Sequence, residues 1–79
     1  MEKVSKAIPF LKHLGFPLVN IRKALPKLTG IQQQEIAIKI GTSDKNVTAH
    51  LNDHRHNAII QKKLAEFYGV PTEELFENE

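Results

Sequence analysis

The sequence predicts an all-α fold, a compact bundle of five or six short helices that contains a helix-turn-helix unit. Three observations predict this class. Apolar residues recur at helical spacing in successive segments, prolines and glycines separate these segments, and no run alternates apolar and polar residues as a half-buried strand does. With 79 residues the chain has room for a single domain, residues 1–79, whose small core favours close packing or a partner subunit.

The first 28 residues predict two helices. An N-terminal arm or extra helix within residues 1–16 is indicated by the spacing of Val4, Ile8, Leu11 and Leu14. Because Pro9 has no N–H to donate, we expect this helix to begin near Ile8 or to kink there. Pro17 can open the second helix, and we expect Pro26 to end or tighten it.

Residues 32–52 predict two short helices joined by a tight turn. The first covers Gln32 to Ile40, and Gly41 follows at the position that requires a left-handed backbone. Ser43 is a good N-cap for the second, which runs from Asp44 to about Leu51.

The spacing within this pair has mechanical reasons. Ala37 is small enough for two helices to cross closely, and Gly41 tolerates the positive φ of a sharp turn. Val47 and Leu51 are expected to point inward. Such a unit holds its second helix out from the surface, with dimensions suited to the major groove of B-DNA. The alternative is that Ala37, Gly41 and Val47 mark a tight helical hairpin in some other small bundle.

Closing helices are predicted over residues 58–76. The segment Asn52 to Asn57 has no apolar residue and is expected to be a loop. A fourth amphipathic helix follows and ends at Gly69, and Pro71 to Phe76 adds one closing turn.

Most of the chain, from about Leu18 through GIQQQEIAIKIGTSDKNVTAHLND to IQKKLAEFYGVPTEELF, resembles the lambda-repressor-like helix-turn-helix proteins of phage repressors, Cro proteins and related bacterial regulators. The family usually has Thr where Gln32 stands, and often Gly where Asp53 stands. Asp can adopt a left-handed backbone, and Glu35 can reach back to the N-cap. The resemblance implies that Gln33 hydrogen-bonds a DNA phosphate and braces the second helix, whereas the alternative for Gln33 is simple solvent exposure.

The side of the second helix opposite Val47 and Leu51 is the predicted base-reading surface. By the hydrogen-bonding pattern of base edges, Lys45 suits guanine, Asn46 suits adenine and Asp44 suits cytosine. Ala49 or the Thr48 methyl group suits the thymine methyl. Lys45 is the leading candidate, while Asp44 is equally explained as ordinary capping chemistry at a helix start.

The loop after this helix offers contacts to the DNA backbone. These candidates are Asn52, His54, Arg55 and His56, with Arg55 foremost. The spacing of His50, His54 and His56 would also allow three imidazoles to bind zinc. A helix end and a loop give poor geometry for such a site, and no thiolate or carboxylate clearly completes it, so we expect no metal.

Composition excludes several functional classes. The absence of cysteine rules out disulfides and thiolate zinc sites and favours a reducing cytoplasm. Apolar runs of two or three residues cannot span a membrane. Neither Ser5 nor Ser43 lies in a nucleophile motif, so we expect no enzyme, no cofactor and no small-molecule ligand. Residues 1–27 carry a net charge of +5 and residues 57–79 carry −3, which favours a polyanionic partner or is simply a solvated face.

The sequence therefore predicts a sequence-specific regulator of double-stranded DNA, a repressor that occupies a palindromic operator as a homodimer. The sequence is compatible with three roles for such a regulator: a phage-related control protein, an antitoxin-type autoregulator and a host factor. The alternative class is a helical protein-interaction module without DNA binding. Two surfaces are candidates for the dimer contact. The first is the apolar stripe of residues 1–16, for which the alternative is that it covers the monomer's own core. The second is a patch formed by Leu75 and Phe76.

Overall fold

The all-α class is confirmed. The computed structural model describes residues 2–76, with side chains from residue 4 onward, and 73% of these residues are helical, with no strand among them. Six helices follow in order: α1 Glu2–His13, α2 Leu18–Thr29, α3 Gln33–Ile40, α4 Asp44–Leu51, α5 Ala58–Tyr68 and α6 Thr72–Leu75.

One apolar core joins all six helices. Its fully buried centre includes Ile8 of α1, Leu25 of α2, Ile36 of α3, Leu51 of α4, Leu64 of α5 and Leu75 of α6. Each helix is short and contributes one apolar stripe, so packing between helices supplies most of their stability.

Helix α1 begins earlier than the first of its two predicted alternatives, a start near Ile8. It starts at Glu2, not near Ile8, and continues through Pro9 to His13. Pro9 removes one backbone donor, but Val4 and Ile8 on the same helix are buried in the core, and this burial offsets the local cost. The N-terminal segment is therefore an extra helix and not an arm.

Helix α2 does not end at Pro26. It continues to Thr29, whose hydroxyl donates to the carbonyl oxygen of Leu25 at 2.9 Å. The same hydroxyl oxygen accepts from the backbone N–H of Ile31 at 3.3 Å. The side chain thus supplies hydrogen bonds around the end of α2, while buried Leu25 holds the turn before Pro26 in the core.

The α3–α4 pair has the predicted boundaries to within one residue. Gly41 has a φ of 78°, and its N–H donates to the carbonyl oxygen of Ala37 at 2.9 Å. The hydroxyl of Ser43 accepts from the backbone N–H of Asn46, so the predicted N-cap is confirmed. Ala37 and Val47 are both buried where α3 and α4 pack together.

The closing helices follow the prediction, but their last two apolar residues do not form a surface patch. Asn57 caps α5 by accepting from the N–H groups of Ile59 and Ile60. Leu75 is fully buried and Phe76 is 4% exposed. The proposal of a dimer patch at Leu75 and Phe76 is therefore wrong, because both side chains complete the monomer's own core.

Candidate nucleic-acid interface

Helix α4 has one buried side and one accessible side. Val47, His50 and Leu51 are buried, which confirms the inward orientation predicted for Val47 and Leu51. On the other side Asp44 and Lys45 are exposed, whereas Asn46, Thr48, Ala49 and Asn52 are half-buried. The predicted base-reading residues thus lie together on one eight-residue helix, with Lys45 and Asp44 the most accessible.

Asn46 already has partners within the protein. Its side-chain Nδ2 donates to the Thr42 hydroxyl at 2.8 Å, and its Oδ1 lies 3.5 Å from Nη1 of Arg55. Both ends of the amide are therefore engaged, and a contact with adenine would require it to exchange at least one of these partners.

Gln33 and Thr48 connect the start of α3 to the middle of α4. The Thr48 hydroxyl is hydrogen-bonded to the Gln33 amide and also lies 2.9 Å from the carbonyl oxygen of Asp44. A hydroxyl has one proton, so at any moment Thr48 donates either to Oε1 of Gln33 or to the carbonyl oxygen of Asp44. The contact between Gln33 and the second helix is therefore present, and it uses the Thr48 hydroxyl.

The loop 52–57 places its basic side chains in solvent. His54, Arg55 and His56 are exposed, and Nδ1 of His56 lies 3.6 Å from Oδ1 of Asp53. Asp53 has a φ of 65°, which confirms that Asp occupies a left-handed backbone conformation at this position. The N–H of His54 donates to the carbonyl oxygen of Ala49 at 2.8 Å, so the loop starts directly against the end of α4.

His50 has a structural position. Its side chain is 1% exposed, and its Nε2 accepts from the backbone N–H of Asn57 at 3.2 Å. This leaves the ring proton on Nδ1, which lies 2.7 Å from the carbonyl oxygen of Asn46. Both ring nitrogens are therefore used to join α4 to the start of α5. Among residues 4–76, no group of three or more His, Asp or Glu side chains is arranged to hold a metal ion.

Arg22 is a buried cation that sequence reasoning did not identify. It is 4% exposed, and its Nη1 and Nε donate to the carbonyl oxygens of Leu75 at 2.9 Å and Leu51 at 3.4 Å. Nη2 lies 3.3 Å from Oδ1 of Asp53, and the guanidinium carbon is 5.0 Å from the ring centre of Phe76. Arg22 thus fixes the end of α4 and the following loop to α2 and α6.

The environment of Arg22 opposes its charge. Burial lowers the pKa of Arg22, and the nearby Asp53 carboxylate raises it by less. The sequence did carry a signal, because Arg22 lies one turn from both Leu18 and Leu25 on the apolar side of α2. One of the six cations in residues 1–27 therefore belongs to the core and not to the basic surface.

Comparison with protein-family models, with curated proteins and with solved structures finds no match. In the part of the chain that the structure describes, no helix is both long and apolar enough to cross a membrane. The assignment of a nucleic-acid interface therefore depends on the geometry of α3, α4 and the loop 52–57.

Proposed function

We propose that this protein binds double-stranded DNA sequence-specifically and regulates transcription, with α4 as the base-reading helix. The observation that carries the proposal is the difference between the two sides of α4. Its inner side is fixed by Val47, His50 and Leu51, while its outer side presents polar side chains, led by Lys45, that the core does not use. A helix fixed on one side and polar on the other suits insertion into a groove about 12 Å wide.

The proposed base-reading residues differ in how freely their side chains can contact a base. Lys45 is exposed and would donate to guanine O6 or N7, and exposed Asp44 would accept from cytosine N4. Asn46 would read adenine only by releasing Thr42 or Arg55, so its contact is an exchange of hydrogen bonds. Ala49 and the Thr48 methyl would contact thymine methyl groups.

The proposed phosphate contacts come from two segments next to α4. Gln33 at the start of α3 contacts Thr48 in the middle of α4, and the loop that carries Asn52, His54, Arg55 and His56 follows the end of α4. Such contacts fix the orientation of the protein on the duplex without reading sequence. The exposed guanidinium of Arg55 is the strongest candidate among them.

One copy of α4 reads few base pairs. Its eight residues span about 12 Å, so we propose that two copies bind a palindromic operator with half-sites about 34 Å apart. Repression would follow from occupancy of that site. Sedimentation of the protein with its selected duplex measures the number of bound copies, and a single copy on an asymmetric site would contradict the homodimer.

The decisive experiment compares two single variants on a duplex selected from random sequences and on an unrelated duplex. Lys45→Ala should cost about 1 to 3 kcal/mol on the selected duplex and reduce the preference for it. Equal losses on both duplexes would contradict base reading by Lys45. Lys62→Ala, which removes an exposed lysine of α5, is the matched control.

Arg55→Ala should behave differently, because a phosphate contact carries no sequence information. It should weaken both duplexes alike and reduce the slope of log affinity against log salt by about 1. An unchanged slope would contradict a phosphate contact by Arg55.

A protein-interaction module is the second candidate function, and an exposed apolar surface on α1 and α2 favours it. A salt series separates the two classes. DNA binding through phosphates weakens steeply with salt, whereas a pure docking module shows no appreciable binding to any duplex.

A further inference from the structure

A groove of about 300 Å³ lies between α1 and α2, away from the α4 residues assigned to DNA. Its lining residues are Leu11, Phe16, Asn20, Ile21, Ala24 and Leu28. Phe16 and Leu28 are 51% and 58% exposed, and the neighbouring residues Phe10 of α1 and Leu14, which directly follows α1, are 61% and 56% exposed. Four large apolar side chains thus remain accessible on one part of a small domain, which is typical of an interaction surface.

The segment that contains the groove residues of α1 and α2 carries only cationic charges. The sequence has no carboxylate between residues 3 and 34. Lys6 lies one turn before Phe10 on α1, and Lys23 and Lys27 lie one turn after Asn20 and Ala24 on α2. All three lysines are exposed. The groove is therefore lined mainly by apolar side chains, and both of the helices that form it carry exposed lysines.

We propose that this groove docks an amphipathic helix of another protein, with apolar residues at i, i+3, i+4 and i+7 and Asp or Glu on both flanks. The apolar side chains would enter the groove, and the acidic flanks would pair with Lys6, Lys23 and Lys27. The Asn20 amide offers a hydrogen bond to a polar group of the docked helix. The proposal is independent of DNA binding by α4.

Charge complementarity decides between this occupant and two others. A second copy that docked with the same face would set the lysines of one copy against those of the other, which is repulsive. An anionic membrane would satisfy the lysines, but a concave groove with an amide in its wall suits inserted side chains better than a lipid surface. An acidic helix satisfies the shape and the charge together.

The test uses the full chain and a fluorescent synthetic peptide of about 16 residues, made of Leu at helical i, i+3, i+4, i+7 spacing and Glu elsewhere. One control peptide replaces every Glu with Lys, and another scrambles the sequence so that the leucines share no face. Fluorescence anisotropy should show the acidic amphipathic peptide binding at least about tenfold more tightly than either control. Equal affinity of the three peptides would overturn the proposal.

Protein variants locate the binding site. Phe16→Ser combined with Leu28→Ser should weaken the peptide about tenfold or more, since both side chains are about half exposed before binding and would be covered after it. Ile38→Ser, at an 80% exposed position of α3, is the matched control and should change affinity less than about twofold. Peptide binding unaffected by the groove variant would overturn the proposal.

Charge variants test the flanks. Lys23→Glu combined with Lys27→Glu should weaken the peptide about tenfold, whereas Lys62→Glu on α5 should have little effect. Equal effects would show general attraction and overturn the assigned groove. Circular dichroism verifies that each variant is folded.

Two further measurements distinguish the other occupants. Sedimentation that shows a dimer of the parent chain, abolished by the Phe16 and Leu28 variant, would assign the groove to a second copy and overturn the proposal. Tighter binding to phosphatidylglycerol vesicles than to the peptide, with the same dependence on these two residues, would assign it to a membrane and also overturn it. Weaker binding of Lys45→Ala to its selected duplex, with peptide binding unchanged, would show that the two surfaces are separate.

Discussion

Substitution of Arg22 by Met tests how the reading helix is held in place. Methionine keeps most of the apolar stem within the core but removes the guanidinium donors. The backbone carbonyl oxygens of Leu51 and Leu75 then lose their side-chain donor, and Asp53 loses its cationic partner.

The expected cost follows from these contacts. A hydrogen bond from a charged donor contributes about 1.5 to 3 kcal/mol, and the bond to Leu75 at 2.9 Å has good length while that to Leu51 at 3.4 Å is long. The Asp53 side chain is 53% exposed, so solvent screens its ion pair and its contribution is small. Because removal of the buried charge also removes its desolvation penalty, we expect a net loss of about 2 to 4 kcal/mol in the free energy of unfolding.

Urea unfolding followed by far-UV circular dichroism at 25 °C measures this loss. Lys23→Met is the matched control, since Lys23 is the next residue on α2 and is exposed, and it should change stability by less than about 0.5 kcal/mol. Asp53→Asn should cost less than Arg22→Met. A value for Arg22→Met within about 0.5 kcal/mol of the parent would refute the reasoning that Arg22 stabilises the ends of α4 and α6.

Two further substitutions test the core and the turn. Burial raises the pKa of Tyr68 to about 12, and its hydroxyl has no hydrogen-bond partner among residues 4–76, so Tyr68→Phe should leave stability unchanged or raise it near pH 7. Because the pKa of Tyr68 is higher in the folded state than in the unfolded state, its ionisation does not affect stability below about pH 10 and favours unfolding as the pH rises to about 12. The free energy of unfolding of the parent should therefore fall by about 2 to 3 kcal/mol more than that of Tyr68→Phe across that range. Thermal melts in which the two proteins lose stability equally over this range would contradict this. Gly41→Val should cost about 1 to 3 kcal/mol through backbone strain, since an added Cβ meets no atom within 4 Å, and Gly41→Asn should cost less; equal melting temperatures for the parent and Gly41→Val would remove Gly41 as the turn residue.

The sequence predicted best what short segments decide locally. The Ser43 cap, the left-handed Gly41 and the bounds of α4 depend on a few adjacent residues, and all three are confirmed. The helix boundaries predicted from prolines were less accurate. Pro9 and Pro26 lie inside helices because core contacts of neighbouring residues outweigh one missing donor, and the sequence does not give the strength of those contacts.

Burial of polar groups was the least predictable feature of the candidate site. Arg22 donates to a carbonyl oxygen 53 residues away, and no local pattern indicates such a partner. His50 looked like a possible metal ligand because spacing alone does not show that both ring nitrogens already have backbone partners. The same limit applied to Leu75, whose place in the core depends on how the closing turn meets α2 and α1.

The contact between Arg22 and the carbonyl of Leu75 also has a consequence for the order in which the chain can fold. During synthesis, α3 and α4 can pair as soon as both are made, since their contacts are close in sequence. Helix α1, however, lacks part of its packing until residues 72–76 are available, because α6 packs against α1. A nascent chain that stops before Leu75 therefore lacks the contacts between α1 and α6 and leaves Nη1 of Arg22 without its acceptor, so folding is completed only after translation of the closing turn.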